Sequence, residues 1–504
     1  MSDNAVSIQP ALKKTGKLPV IIIILVPFII SFFQLRIIDN DFYFLYATGE
    51  YIVKNGFPFT DMLSMHSSMK IVVQQWLSSV IFYYIYLYLG KYGIFALLYI
   101  CYAAICYLTF SLSKLITNNP IVSAFTTAIA NFLVFDAFMV TRPQMITYVI
   151  LLTEVYLLEK HVQTKNVKYL FAIPVLSLLL INLHGAMWAM LLVFMLPYLV
   201  SAVFFKTKNF TLEAQGNLLA LLATFAGSIV VGLLNPYSWE AMIYLTTSYG
   251  QSSLSIISEM HATSLDSTEG FTLFIVLGVI FLIVCFIKKR LIARRFFLLF
   301  AGTLLLGLLQ IKGIPYFYLI GIPAFTYMIK DFDPAILKKP LKDYDNKKYK
   351  TLAGIFLTLC LVYVCEARFF TTKELNESRE KHYKRLDEVI AILDQSEEPV
   401  VLYTNFNDGQ YLEFNGYHPF IDGRAELYLY KNNKEYDYFI EYSSLKAAGY
   451  YYREFVDKYE FNYFILNKST DSYLYFSLLY DDEFDLVYTS YDVNLFVRNT
   501  SETD

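Results

Sequence analysis

Charged residues are scarce in this chain, and neither sign dominates among them. Only 17% of the 504 residues are Asp, Glu, Lys or Arg, and the formal net charge is −3. Proteins that bind nucleic acids usually carry a clear basic excess, because they must neutralise phosphates. We therefore expect no nucleic-acid partner.

Cysteine is also rare, and its positions exclude a disulfide-built fold. The five cysteines all lie within apolar stretches. They are Cys101, Cys106, Cys285, Cys360 and Cys365. Buried free cysteines of this kind act as small hydrophobic residues, so we predict neither a disulfide framework nor a metal cluster from them.

Hydrophobic residues, in contrast, are abundant and form long runs. They make up 56% of the chain, aromatic residues alone make up 18%, and the mean hydropathy is +0.44. Runs of about 17 residues or more are long enough to cross a bilayer. Such runs lie near 18–36, 93–113, 119–140, 144–159, 169–183, 186–205, 217–234, 271–287, 295–311, 313–330 and 351–367. A shorter run occupies 76–89.

This pattern predicts an α-helical polytopic membrane protein with about 11–13 transmembrane helices. Residues 1–17 form an N-terminal tail with three lysines. Residues 18–36 are a retained first span, since no small-residue cleavage site follows them. The transmembrane domain then extends over 18–367, with a first outer loop at 37–75.

After residue 368 the pattern changes to that of a soluble domain. Short β-type runs lie at 400–404, 462–466 and 484–490. They alternate with helical segments around 376–395, 436–447 and 451–459, which predicts a C-terminal α/β domain over 368–504.

The basic residues predict the orientation. If 76–89 crossed the membrane, the basic segments 288–295 and 338–350 would lie outside, against the positive-inside rule. An interfacial or re-entrant 76–89 run, or one further short crossing within 72–140, places them inside. We therefore expect a plasma-membrane protein with a cytoplasmic N-terminus and an extracytoplasmic C-terminal domain. The first loop and the loop 235–270 share that outer side.

Two carboxylates, Asp39 and Asp41, stand where the first span ends. A carboxylate near hydrocarbon is costly, so their presence needs a reason. An Asp-x-Asp pair can act as a general base, orient an acceptor or bind a divalent cation such as Mg²⁺ or Mn²⁺. The alternative is an N-cap for the juxtamembrane helix, although one cap does not require both residues.

Three further polar residues lie at outer helix boundaries and are candidates to bind a phosphate. Arg142, in TRPQM, offers parallel guanidinium donors, or else anchors its helix in the interface. Lys312, in QIKGIPYF, is a cation on the outer side against the general trend. His184, in NLHGAMW, is either a phosphate ligand or a structural hydrogen-bonding residue.

Candidate acceptor-contacting residues lie in the outer loops and in the C-terminal domain. Tyr43 belongs to an aromatic stretch that either stacks on sugar faces or anchors the interface. Glu259 lies in the loop 235–270. Arg424, in FIDGRAELY, either reaches a bound glycan or fixes its own turn through a salt bridge.

Several motifs together resemble one bacterial family. These are DNDFYFLYATGEYI, NGFPFTDMLS, QQWLSSVIFYYIY, TRPQM, NLHGAMW, QIKGIPYF and FIDGRAELY. In this order they resemble the GT-C superfamily of membrane glycosyltransferases, in particular a bacterial group that uses polyprenyl-phosphate-linked sugars. The resemblance adds Gln75 and Trp76 to the candidate acceptor- or sugar-contacting residues. Two departures are Gln75, where an acidic residue is common, and Lys312, where an arginine is usual.

The resemblance implies that a first-loop carboxylate, Asp39 or Asp41, serves the reaction. We therefore expect an inverting glycosyltransferase that moves a sugar from a polyprenyl-phosphate donor to a glycan or lipid acceptor on the outer face of the membrane. The alternative is a non-catalytic membrane protein that handles lipid-linked glycans during envelope polysaccharide assembly. A polysaccharide polymerase or ligase is a third reading, less fitting because its charged outer loop usually comes late in the chain.

Overall fold

The structure is a computed structural model. It describes residues 21, 25, 37–206, 211–212, 214–248, 261–286, 293–330, 373–449 and 451–499. The predicted N-terminal tail, almost all of the first span, the last span at 351–367 and Glu259 lie outside the described residues.

The predicted first loop begins with helix α1, Asp41–Asn55. The helix ends at Gly56, whose φ of 88° is a backbone conformation that glycine adopts without steric cost. The chain then crosses the C-terminal domain, where the His66 ring stacks on Tyr438 with 3.9 Å between centroids. The Tyr237 hydroxyl also donates to the carbonyl of Pro58, at 2.7 Å. The loop is therefore held in place by contacts at Pro58 and at His66.

The helical domain follows the hydrophobic runs of the sequence closely. Its helices are α2 Trp76–Thr117, α3 Pro120–Phe138, α4 Gln144–Thr164, α5 Ala172–Leu183, α6 Trp188–Ala202, α7 Leu218–Gly232, α8 Trp239–Ser248, α9 Thr268–Phe286 and α10 Arg294–Leu309. Short 3₁₀ turns precede α5, α6 and the last segment, at Val167–Phe171, Gly185–Met187 and Ile311–Gly313. A two-stranded ribbon pairs β1 Phe205–Lys206 with β2 Thr211–Leu212.

The last described helical segment of this domain changes its winding along its length. It runs through Ile314–Tyr316, a π-helical turn at Phe317–Gly321, Ile322–Phe325 and a 3₁₀ turn at Thr326–Ile329. A π-turn widens the helix and leaves its backbone hydrogen bonds out of the regular register.

Within α2, the backbone breaks at Gly90. Its φ of 58° and ψ of −157° are not helical, so residues 76–89 and the following helix are two separate segments. The short run at 76–89 is thus set apart from the next apolar run, as the interfacial reading of the sequence requires. Its sidedness stays a prediction.

Three of the described helices are long and apolar enough to cross a membrane. They are Trp76–Thr117, Gly185–Ala202 and Thr268–Cys285, and shorter apolar helices cover Pro120–Phe135, Val167–Leu183 and Leu218–Gly232. Large apolar side chains on these helices are exposed, such as Leu219 at 78% and Phe281 at 67%. Exposed apolar surface on several helices is what contact with lipid requires.

The C-terminal domain is the predicted α/β unit. It starts with helix α11 over residues 373–393 and continues with a four-stranded sheet of order β3-β4-β6-β5. The strands are β3 Leu402–Thr404, β4 Tyr463–Leu466, β5 Phe484–Thr489 and β6 Asn494–Arg498. β3 and β4 are parallel, and β6 pairs antiparallel with both β4 and β5.

Five short helices complete this domain. They are α12 Gly409–Phe414, α13 Tyr430–Asn433, α14 Tyr438–Lys446, α15 Tyr452–Tyr459 and α16 Ser472–Leu479. Most of them belong to the crossover that a parallel pair of strands demands. The sequence patterns identified β3, β4, β5 and three of the helices, and missed β6 and the shorter helices.

An aromatic cluster joins the C-terminal domain to α1. The Tyr43 ring lies 4.8 Å from Tyr411 and 5.2 Å from both Tyr383 and Phe414, measured between centroids. Edge-to-face contacts of this kind stabilise an interface beyond the area that they bury. The N-terminal end of α1 is therefore held between the helical domain and the C-terminal domain.

Gly49 lets α1 lie directly on α2, and replacing it tests this packing. A Cβ at position 49 would stand 2.1 Å from the carbonyl oxygen of Ser79. Alanine favours a helix over glycine by about 1 kcal/mol, so only the clash makes Gly49→Ala destabilising. We expect a lower melting temperature for Gly49→Ala in detergent, followed by intrinsic fluorescence.

Gly278→Ala is the matched control, because a Cβ added at this position of helix α9 would have nothing within 4 Å. Its melting temperature should equal or exceed that of the wild type. Equal melting temperatures for both variants would contradict the close approach of α1 and α2.

Candidate functional site

A cavity of about 1500 Å³ lies between the N-terminal end of α1, the ends of the helical-domain helices and the C-terminal domain. Of the residues singled out in the sequence, seven line it: Asp39, Asp41, Gln75, Arg142, His184, Lys312 and Arg424. They come from six separate places in the chain. Their assembly in one cavity is a result of the fold, while their roles stay predictions.

The two aspartates share one guanidinium. Arg142 Nε lies 2.5 Å from Asp39 Oδ1, and its Nη1 lies 2.9 Å from Asp41 Oδ2. Arg142 stands in the bend between α3 and α4, just before Pro143 starts the next helix. The Thr141 hydroxyl accepts from the backbone N–H of Asp39 at 2.8 Å, which ties the two segments together.

Burial and charge act in opposite directions on Asp39. Its burial alone would raise the pKa, but the Arg142 guanidinium, with a smaller contribution from Arg379, holds the pKa of Asp39 below its usual value. Arg379 comes from α11 of the C-terminal domain, and its Nη1 lies 4.0 Å from Asp39 Oδ2. Asp39 is therefore ionised at neutral pH.

The alternative role of the acidic pair, capping the N-terminus of a helix, holds for one of the two aspartates. Asp39 Oδ1 accepts the backbone N–H of Asp41 at 3.2 Å, at the start of α1. A negative charge at a helix N-terminus is favourable. The cap occupies Asp39, whereas Asp41 is the more exposed of the two, with 28% of its side chain accessible against 9% for Asp39.

Asp41 is also contacted by the C-terminal domain. Gln410 Nε2 donates to Asp41 Oδ1 at 3.1 Å, and the Asn40 side chain donates to the carbonyl of Asn407 at 2.6 Å. A Cβ on Gly423 would stand 1.7 Å from Gln410 Nε2, so a side chain there would displace this amide from Asp41. The C-terminal domain thus positions the acidic pair directly.

His184 and Lys312 line the same cavity from the helical domain. His184 Nδ1 lies 2.8 Å from the Thr147 hydroxyl, and the following Gly185 donates its N–H to the carbonyl of Gln74 at 2.6 Å. Lys312 lies in the 3₁₀ turn that follows α10. The structural role that the sequence left open for His184 is thus present, beside its place in the lining.

Two of the predicted sugar-contacting residues lie outside the lining of this cavity. Trp76 donates its indole N–H to Asn182 Oδ1 at 2.8 Å, and Tyr43 is buried in the aromatic cluster described above. Both therefore have structural contacts that occupy them. Gln75 remains in the lining, and Glu259 lies outside the described residues.

Arg424 forms ion pairs with carboxylates of the protein itself. Its Nη1 lies 2.6 Å from Asp61 Oδ1, and its Nη2 contacts Asp422 at 2.5 Å and Glu413 at 3.2 Å. The predicted salt bridge within its own turn is present, through Asp422. The bond to Asp61 extends it to the first loop, so Arg424 ties that loop to the C-terminal domain.

The partners of Arg424 differ in their protonation. Burial and the nearby Asp422 charge raise the pKa of Glu413 well above its ordinary value, in spite of the guanidinium. Burial opposes ionisation of Asp422 too, but Arg424 outweighs it and lowers the pKa. The guanidinium therefore favours the ionised form of Asp422, whereas Glu413 favours its protonated form.

His382 is a cavity residue that sequence reasoning missed. Its Nδ1 lies 2.8 Å from Asp492 Oδ2, and its Nε2 lies 2.7 Å from Asp408 Oδ1. Burial would lower the pKa of His382, but the two carboxylates raise it to about 9. Asp492 follows His382 by 110 residues in the chain, so no local spacing signals this arrangement.

No group of three or more His, Cys, Asp or Glu side chains in the described ranges is arranged to hold a metal ion. The acidic pair is instead bridged by a guanidinium. Cations outnumber carboxylates among the residues of the lining. The cations are Lys70, Arg142, Lys312, Arg379, Arg424, Lys431, Lys434 and Lys446, and the carboxylates are Asp39, Asp41, Glu240, Asp408 and Glu426.

Comparison with known proteins identifies the fold but no sequence family. No family model and no curated protein matches the sequence. Among solved structures, the crystal structure of ArnT from Cupriavidus metallidurans bound to undecaprenyl phosphate is similar, with a TM-score of 0.51. The match covers 96% of this chain and 98% of that one, at 11% sequence identity. Likeness at that identity establishes the shared fold.

Replacing Arg424 should destabilise the protein strongly. Arg424→Met leaves Asp61 and Asp422 buried without their cation, and breaking a buried pair from one side costs about 3 kcal/mol or more. We expect a clearly lower melting temperature in detergent. Arg498→Met is the control, because its partners Asp457 and Glu483 are exposed, with 64% and 45% of their side chains accessible. A similar loss in both variants would contradict the buried tie.

The His382 cluster predicts a pH dependence of stability. A histidine whose folded-state pKa is raised to about 9 stabilises the fold fully below its unfolded-state pKa, about 6.5, and loses this contribution as the pH rises through 9. The melting temperature should therefore fall between about pH 6.5 and 9.5. His382→Gln should be less stable at about pH 6.5 and should show a flatter profile. Parallel profiles for the two proteins would refute the assignment.

Proposed function

We propose that this protein is a membrane glycosyltransferase that moves a sugar from a polyprenyl-phosphate donor to an acceptor hydroxyl. The observation that carries the proposal is the Asp39–Arg142–Asp41 cluster in the wall of a large cavity lined by further cations. The motif resemblance to the GT-C superfamily and the fold shared with ArnT, whose structure contains undecaprenyl phosphate, point to the same class.

Transfer with inversion needs a base on the acceptor side. The acceptor oxygen attacks the anomeric carbon from the face opposite the phosphate, its proton passes to a carboxylate, and the bond from the sugar to the phosphate oxygen breaks. We assign the base to Asp41, because it is the more exposed of the two aspartates. Gln410 donates a hydrogen bond to Asp41 Oδ1 and so orients the carboxylate. Asp39 is more deeply buried and positions Arg142.

Negative charge develops on the departing phosphate and requires cations near it. Arg142 and Lys312 line the cavity from the helical domain, and Arg379 lines it from the C-terminal domain. Fixed cations in a partly buried site stabilise developing charge without reorganising during the reaction. His184 is a further candidate for the phosphate, as a hydrogen-bonding partner.

The location of the reaction follows from the positive-inside rule. The cavity lies at the ends of helices that we place on the outer face of a bacterial plasma membrane. A prenyl chain then reaches the site from the bilayer, and the C-terminal domain covers the cavity from outside.

The test is transfer by the purified protein with a panel of polyprenyl-phosphate sugars, measured as release of the prenyl phosphate. Asp41→Asn should reduce the rate by about a hundredfold or more, since it removes the base. Asp39→Asn should also be defective, because Arg142 loses its main partner. The assay is run with Mg²⁺ or Mn²⁺ and with EDTA, since paired carboxylates also suit a divalent cation.

Glu426→Gln is the matched control, because Glu426 also lines the cavity but accepts from the Tyr244 hydroxyl at 2.8 Å. It should transfer at close to the wild-type rate. Undiminished transfer in both aspartate variants would refute the proposal. Donor binding without turnover in the wild type would favour the non-catalytic handling of lipid-linked glycans instead.

A further inference from the structure

We propose that the cavity contains a second anion site, on the C-terminal domain, which binds an anionic glycan acceptor. The site is the lysine wall, defined here as Lys431, Lys434 and Lys446. This inference rests on the proposed function, because it assigns the acceptor of the same reaction.

The lysine wall belongs to elements different from those that carry Asp39, Asp41 and Arg142. Lys431 lies in α13, Lys434 directly follows that helix, and Lys446 ends α14. All three line the cavity, and all three are exposed to it. The first loop reaches the same wall, since the backbone N–H of Lys70 donates to the carbonyl of Asn433 at 3.4 Å.

The carboxylates near the lysine wall do not neutralise all of its positive charge. Lys446 Nζ lies 3.6 Å from Asp471 Oδ1, and Lys70 pairs with Glu240 at 2.5 Å. The Glu426 carboxylate accepts from the neutral Tyr244 hydroxyl at 2.8 Å, so it offsets one lysine charge of the lining at most. Lys434 donates to the carbonyl of Lys431, which orients its ammonium without neutralising it. At least one of Lys431 and Lys434 thus keeps its charge available to a ligand.

The single phosphate of the donor cannot pair both with the cations around the acidic pair and with the lysine wall. A polyprenyl-phosphate sugar carries one phosphate, and Arg142, Lys312 and Arg379 surround the place assigned to it. The lysine wall lies on other elements, and the charges of Lys431 and Lys434 would not be compensated by the bound donor. An anionic group of the acceptor, a phosphate or a carboxylate, would form charge-assisted hydrogen bonds with these lysines.

The surroundings of the wall favour a glycan over a lipid headgroup. Amide and hydroxyl side chains of the same domain also line the cavity, in Asn407, Asn432, Ser443 and Asn467. These groups hydrogen-bond to sugar hydroxyls, whereas a lipid needs an apolar channel for its chains. The wall also belongs to the α/β domain and not to the apolar helices.

The experiment measures binding of a fluorescent, size-fractionated dextran phosphate oligomer to the full-length protein in phosphatidylcholine nanodiscs. The wild type should bind it, with an affinity that falls as salt rises, and should not bind a neutral dextran of the same length. The triple variant Lys431→Gln, Lys434→Gln, Lys446→Gln should bind about tenfold more weakly.

The matched control is the triple variant Lys373→Gln, Lys381→Gln, Lys384→Gln. It removes the same charge from the same domain, at exposed lysines of α11 outside the cavity lining. Its affinity for the oligomer should equal that of the wild type. Equal losses in the two triple variants, or no loss in either, would overturn the site.

Two further arms separate the sources of the anion and the two proposals. Dioctanoyl-phosphatidylglycerol is the lipid probe, and loss of its binding with retained oligomer binding in the lysine-wall variant would overturn the glycan assignment. Undecaprenyl phosphate is the donor probe, and it should bind the lysine-wall variant normally but bind Arg142→Gln, Lys312→Gln weakly. Failure of that arm alone would count against the proposed function and not against the lysine wall.

Discussion

The site depends on one guanidinium held between two carboxylates. A buried carboxylate at the edge of an apolar helical domain is costly unless a cation accompanies it, and Arg142 supplies that cation to Asp39 and Asp41 together. Because Arg142 precedes α4 and the aspartates stand at the start of α1, the ion pairs also fix how these two helix starts lie relative to each other. The chemistry and the packing therefore share one interaction.

A second buried cluster of ion pairs, farther along the first loop, also places one guanidinium between several carboxylates. Arg424 joins Asp61 of that loop to Asp422 and Glu413 of the C-terminal domain. Together with the aromatic contacts of Tyr43, it holds the C-terminal domain over the cavity. The C-terminal side chains that approach the acidic pair can do so only because this docking is fixed.

Much of the helical domain is predictable from the sequence, because apolar runs of the required length are local features. The acidic pair is signalled in the same way, since a charge beside an apolar run is itself unusual. The break at Gly90 falls between two apolar runs that the sequence separates, whereas β6 is a short apolar run beside a charged turn and was missed. His382 lies in an ordinary charged helix and becomes distinctive only when Asp408 and Asp492 converge on it. For Arg424, whose loop partner is 363 residues away, sequence alone left open whether it faced a ligand or a carboxylate.

The surplus of cations in the cavity limits what the cavity can bind. Arg424 is neutralised by its buried carboxylates and holds the fold, whereas Arg142 holds the acidic pair and is also assigned to the donor phosphate. The other cations discussed here lie on two structural units, Lys312 on the helical domain and Arg379, Lys431 and Lys434 on the C-terminal domain. Cations placed on separate units repel each other across a cavity unless anions lie between them. A reaction that brings one anionic lipid and one anionic acceptor together would use both sets, and the fold would be most stable with both substrates bound.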